Sequence, residues 1–265
     1  EYEKRRLRLL RQYDPGGVVM TRESVLTWSS VFVLCLMAVV LSVCDGNTQK
    51  KEEAPKMDAH RSANRPAVLA GTWYEAEPEK LRNTVDQYMK HAKNVQNLGT
   101  VIGLVSPHAG YVYSGPVAAY AYRQIQGKRY DTVVVIAPNH VDPRLQFSSV
   151  LTGGTYATPL GVIPVDSETA EAIAGFDSAD NVRPSDMGHL AAYGDRAEHS
   201  LEIQLPFLQY SLGTFRLVPI VMGDQKRESA VMLARAIAGA VRGKNVLIVG
   251  SSDLSHFFPS DQARK

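Results

Sequence analysis

Cysteine is almost absent from this chain. Its two cysteines, Cys35 and Cys44, lie within or at the end of one apolar run near the N-terminus. The rest of the sequence therefore offers neither a disulfide nor a thiolate metal ligand. Neither sign of charge is in excess. With the six basic and four acidic residues of positions 1–24 set aside, 23 of each sign remain. A domain so balanced lacks the electrostatic footprint of nucleic-acid binding, and no nucleic-acid partner is expected. Catalytic signatures are missing too: there is no HExxH, no P-loop and no dinucleotide-binding glycine pattern. "GSSDLS" places Ser252 and Ser255 beside Asp253, but it is not a nucleophile elbow, and neighbours in sequence do not make a triad. A serine hydrolase is thus disfavoured.

What is present begins with a charge-free stretch. Val25–Val43, "VLTWSSVFVLCLMAVVLSV", runs 19 residues without a charged side chain. That length suits a bilayer span or the apolar core of an export signal. A start at Met20 with Arg22 as positive flank would make a compact signal, and "LSVC" resembles the end of a bacterial lipoprotein signal with Cys44 as the lipidated residue. Val43 departs from the small residue usual before that cysteine. An uncleaved single-span anchor is the second reading and a buried helix the third. Either membrane reading places the globular part outside the cytoplasm, attached to the membrane through the N-terminus. Residues 1–44 are thus expected to be a membrane-targeting region, 45–66 a polar tether, and 67–265 one domain. The polar segment "PSDQARK" reads as unfinished, so a C-terminal truncation is expected.

From Val68 onward the pattern is compact, with 45% hydrophobic and 21% charged residues overall, enough for one large core. Leu81, Val85, Tyr88, Met89 and Ala92 fall at helical spacing. Further helices are expected from Ser114 and Pro116 onward, at 167–174, at 199–210 and at 228–241. Apolar β-branched runs at 101–105, "DTVVVIAPNH", "FRLVPIVM" and "NVLIVGSSD" read as buried strands. Strands at 146–151 and 161–165 look like an antiparallel excursion or hairpin. Such alternation argues for an α/β layered sandwich with a mostly parallel central sheet.

The chain has seven histidines. His60, His91 and His189 lie in polar surroundings and read as surface residues. His108, His140 and His256 each follow the end of a strand, where open α/β sheets bind ligands. His108 and His140 are separated by about one βαβ unit, so neighbouring strands are expected to carry them. His199, preceded by Glu198, can reach the same edge from a connecting segment. Imidazoles gathered there suit iron, copper, zinc or nickel. Asp253 would orient His256 or act as a base.

"GTWYEAEPEKL", "SPHAGYVYSGPVAAYAY", "VIAPNH", "AEHSLEIQLPFLQ", "LVPIVMG" and "GSSDLSHF" occur in the order and approximate spacing of the Memo family. The resemblance covers Val68 to Lys265, and the prokaryotic branch is called AmmeMemoRadiSam system protein B. It implies a fold similar to the class III extradiol dioxygenases, with a non-haem metal at the carboxyl edge of the sheet. On that resemblance His108 and His140 match metal ligands and His256 the catalytic acid/base. His199 and Asp253 match further catalytic or pocket positions. The family's third ligand, a cysteine, is expected beyond Lys265. The resemblance also implies a functional link to radical-SAM and AMMECR-type proteins.

Two functions compete at this stage. One is a dioxygenase-like oxidoreductase using Fe(II) first and Cu second, with Tyr111 and Tyr113 lining a substrate pocket. The alternative is a non-catalytic module that binds a small molecule or peptide on the same fold. The two tyrosines have a plainer reading as loop packing.

Overall fold

β-branched residues stiffen the chain toward extended backbone, and runs of them with no polar face are stable only when both faces are covered. Four such runs make the centre of the molecule. The computed structural model describes residues 19–21, 63–95, 99–176, 181–190, 197–253 and 259–263. In chain order the strands are β1 (Val19–Thr21), β2 (Ala63–Arg65), β3 (Val101–Ser106), β4 (Thr132–Pro138), β5 (Ser148–Val150), β6 (Gly154–Thr158), β7 (Gly161–Pro164), β8 (Val182–Pro184), β9 (Arg216–Met222) and β10 (Val246–Ser251). The helices are α1 (Pro78–His91), α2 (Tyr111–Arg123), α3 (Ser167–Ala174), α4 (Leu205–Leu212), α5 (Arg227–Ala240) and the short α6 (Ser260–Ala263).

The main sheet has the order β1-β3-β10-β4-β9-β5-β8. Its centre, β3-β10-β4-β9, is parallel throughout. β1 and β5 pair antiparallel with their central neighbours. This is the expected α/β class with a mostly parallel sheet. The crossover from β3 through α2 to β4 steps across the sheet in one direction, and that from β9 through α5 to β10 steps back. Parallel crossovers follow a right-handed rule, under which these opposite steps put α2 and α5 on opposite faces. α2 packs with α1 and α4, and α5 packs with α3. Val133, Val134, Val135, Leu217, Val218, Ile220, Leu247 and Val249 are fully enclosed between these layers.

Four local expectations are corrected. β3 and β4 are not neighbours, because β10 lies between them. The expected hairpin of 146–151 with 161–165 does not form: β7 pairs with β6, in a separate three-stranded sheet with β2, while β5 joins the main sheet. The helix expected from Ser114 starts at Tyr111, with Pro116 inside it. Ser114 donates its hydroxyl to the Ala109 carbonyl at 2.7 Å instead of capping. Tyr111 N–H is bonded to the Trp73 carbonyl at 2.9 Å, which anchors the earlier start. The helix expected at 199–210 opens later, as a 3-10 turn at Glu202–Gln204 leading into α4.

Strand β1 falls within residues 1–44, and β2 within the stretch read as a tether; Arg65 of β2 is buried. Val25–Val43 and Cys44 lie outside the described residues. Among the described residues no helix is long and apolar enough to cross a membrane.

Candidate metal centre

Three strand ends build the site. His108 lies two residues beyond β3, His140 two beyond β4, and Asp253 two beyond β10. Adjacent strands are about 4.8 Å apart, so β3 and β4 stand nearly 10 Å apart across β10. The rings of His108 and His140 nonetheless come to 5.2 Å between centroids, in an edge-to-face arrangement. They meet beyond the end of β10, where Ser251 Oγ lies 3.0 Å from His108 Nδ1. His199 arrives from the segment before the 3-10 turn and stands 4.6 Å from His140 and 5.7 Å from His108. One ring nitrogen from each of the three lies within 4.8 Å of the others. The cluster grades outward: the His108 side chain is 4% exposed, His199 19% and His140 39%. It is therefore anchored in the protein and open at His140.

Hydrogen bonds fix which nitrogen of each ring faces the cluster. Ser251 donates its one hydroxyl proton to the Ser200 carbonyl at 2.6 Å. Its oxygen can then only accept, from His108 Nδ1 at 3.0 Å and from Gln204 Nε2 at 2.8 Å. The Gln204 amide is itself oriented, since its nitrogen also faces the Pro107 carbonyl and Tyr122 donates to its oxygen at 2.7 Å. His108 is thereby the Nδ1–H tautomer, with the Nε2 lone pair free. Burial holds its pKa down at about 4, against the opposing pull of Asp253, so the ring is neutral near pH 7. Asp253 accepts from His108 N–H at 2.6 Å, and its other oxygen stands 3.8 Å from His108 Nε2.

Glu198 does the same for His140. Its buried carboxylate accepts from His140 N–H, from His140 Nδ1 at 3.0 Å, from His199 N–H at 2.9 Å and from Ser200 N–H at 3.0 Å. Burial alone would raise its pKa, but the bonds from the His140 side chain and backbone, from Ser200 N–H, and the nearby His199 hold it near 2. An ionised Glu198 makes His140 carry its proton on Nδ1, leaving Nε2 for the cluster. The same bond raises the pKa of His140, while burial lowers that of His199. The indole of Trp73 covers His199 at 4.5 Å. Ser200 completes the scaffold by donating to the Pro138 carbonyl of β4 at 2.6 Å. The 198–200 segment thus bridges the ends of β4 and β10.

The Memo-like protein family model matches residues 65–265. The chain belongs to the Memo-like family. It is 38% identical over 208 residues to a MEMO1 family protein of Methanothermobacter thermautotrophicus, covering 75% of this chain and 72% of the relative. A MEMO1 family protein of Archaeoglobus fulgidus is 38% identical over 199 residues, with 74% and 69% covered. One from Nitrosopumilus maritimus is 33% identical over 198 residues, with 73% and 69% covered.

Of the residues singled out in this Memo-like sequence, the structure brings together His108, His140, His199 and Asp253. His256 lies outside the described residues. Tyr111 is not at the cluster: it is buried against Tyr74 and Phe207 and donates its hydroxyl to the Ile203 carbonyl at 2.9 Å. Tyr113 stands on the surface, 63% exposed. His189, read as a surface residue, is fully buried. Its Nε2 faces the Ser149 carbonyl at 3.1 Å, so Nδ1 accepts from the Tyr156 hydroxyl at 2.6 Å. The polarity of the loop around it reflects its neighbours, not this ring. Sequence reasoning missed Ser251 and Trp73. Only the run of small polar residues closing β10 hinted at the first.

Proposed function

We propose that His108, His140 and His199 hold a transition metal in a Memo-like oxidoreductase, with Fe(II) the first candidate and Cu the second. The observation that carries this reading is that Ser251 and Glu198 leave the Nε2 lone pairs of His108 and His140 free on the cluster side. Neutral imidazoles with their second nitrogen bonded to protein are the donor set such metals take. Imidazole–metal bonds of about 2.1 Å put the donors of one ion within about 4 Å of each other. The cluster meets that spacing with small inward movements of the rings. A bound redox metal would supply one-electron chemistry at the open, His140 side.

The protein's own groups have separate tasks in this reading. Glu198 anchors His140 and His199 together and makes His140 a stronger donor. Ser251 holds His108 in one tautomer. Asp253 fixes the His108 backbone and offers a carboxylate oxygen beside the ring, where a proton can be held. His256 as acid/base, a further ligand beyond Lys265, export through Cys44 and a link to radical-SAM and AMMECR-type proteins belong to the same proposal. They rest on resemblance rather than on this geometry.

The test is metal content by mass spectrometry after anaerobic purification, with a His108→Ala/His140→Ala variant alongside. Iron or copper near one per chain, absent from the variant, is the expected result. A folded wild-type protein that takes up neither metal on reconstitution would end the metal reading and leave the ligand-binding module.

A further inference from the structure

We propose that the buried ion pair of Arg65 and Glu202 is a positioning element of the histidine cluster, acting on it through Glu198 and through the turn that carries Trp73. This inference rests on the metal reading above. Neither side chain makes its hydrogen bonds to the three rings. Their effect is on the two groups that aim those rings.

Arg65 sits at a junction of three segments. One guanidinium nitrogen donates to the main-chain carbonyl of Glu198 at 2.6 Å and to Glu202 Oε2 at 2.8 Å. The other donates to the His189 carbonyl. Glu198 is therefore held from both ends: its carbonyl by Arg65, its carboxylate by His140, His199 and Ser200. The partner carboxylate holds a different piece. Glu202 accepts from Leu69 N–H at 2.9 Å, Val68 N–H at 3.3 Å and the Tyr74 hydroxyl at 2.6 Å. Between those contacts the chain turns through Gly71, at φ +82°, and Trp73 N–H closes back on the Leu69 carbonyl at 2.9 Å. That turn delivers the Trp73 ring onto His199.

A buried ion pair is a weak source of stability compared with apolar packing of the same volume. Here it does something packing cannot do. It ties the entering strand β2, the Trp73 turn and the Glu198 segment to one point. Both side chains are no more than 2% exposed, so solvent does not screen the pair. Arginine's rigid fork reaches three acceptors in different directions, and lysine cannot reproduce it. Glu198 can hold the proton of His140 on Nδ1 only while its backbone stays in register with β4. The ion pair sets that register from below.

Arg65→Lys tests this, because it keeps the charge opposite Glu202 and removes the fork. Two readouts are taken: Co(II) affinity by visible absorption, and 15N NMR of the histidine side chains in the metal-free protein. The expected result is Co(II) affinity lowered about 10- to 100-fold, with His140 no longer a single Nδ1–H tautomer, while helical circular dichroism is kept. Because the pair acts in part through Glu198, Arg65→Lys added to Glu198→Gln lowers affinity by less than the sum of the two single losses. Wild-type affinity and tautomer in Arg65→Lys, or fully additive losses, would overturn the proposal. Should Arg65→Lys not fold, Glu202→Gln is read in the same way. It keeps an oxygen for Leu69 and Tyr74 but loses the charge. A wild-type protein that binds no Co(II) counts against the metal reading, and the tautomer then decides the positioning role alone.

Discussion

Ser251 shows how much one small side chain decides. Its single proton is committed to the Ser200 carbonyl, which turns its oxygen into an obligate acceptor and so selects the His108 tautomer. Replacing it with alanine leaves His108 Nδ1–H and a Gln204 N–H without this acceptor. Orphaned buried donors cost about 1–3 kcal/mol, and loss of an outer-shell partner costs about 10- to 100-fold in metal affinity. Ser251→Ala is thus expected to lower both the urea midpoint and the Co(II) affinity. An affinity equal to wild type would show that another group sets the tautomer. Tyr111 and Tyr113 teach the opposite lesson. Two residues apart on a helix, they point to different sides, and the one next to the histidine loop in sequence is spent on the core.

Between elements, the decisive contact is where the end of β9 meets the loop that follows His140. A Cβ added at Gly223 would lie 1.9 Å from the Leu145 carbonyl oxygen and 2.4 Å from its carbon. Both are backbone atoms, so no rotamer change relieves the clash. Gly223→Ala is expected to cost about 3 kcal/mol and to displace the loop that starts at His140. Gly127→Ala is the control: its φ of +74° strains alanine, yet nothing lies within 4 Å, and the cost should stay near 1 kcal/mol. Chemical denaturation of both variants checks this, and equal losses would refute the role given to the β9 contact. The insertion of β10 between β3 and β4 belongs to this scale too. It could not be read from the spacing of His108 and His140, because a parallel crossover of one βαβ length fits a strand one or two places away.

At the scale of the whole molecule, burial of His189 couples the core to pH. Desolvation pushes its pKa down to about 3, with Arg65 adding to the effect and the Ser149 carbonyl opposing it. In the unfolded chain it titrates near 6.5. The unfolded state therefore binds a proton that the folded state refuses, and stability falls as pH drops below 6.5. Between pH 6.5 and 5 this one group removes about 2 kcal/mol. His189→Gln should lose that part of the slope, measured by urea unfolding at the two pH values. An unchanged slope would mean that the ring is accommodated charged.

Read alone, the sequence determined the layered class, the four central strands and the edge at which His108 and His140 meet. Those features follow from local physics: β-branched runs must be covered on both faces, and loops after parallel strands open on one side. It also carried the family, in stretches such as "SPHAGYVYSG" and "AEHSLEIQLPFLQ". What only the tertiary structure decided are the partnerships between residues far apart in the chain. Arg65 and Glu202 are 137 positions apart, and His108 and Ser251 are 143 apart. No periodicity encodes such pairs, because a buried polar group is satisfied by whichever segment the fold brings within hydrogen-bond reach.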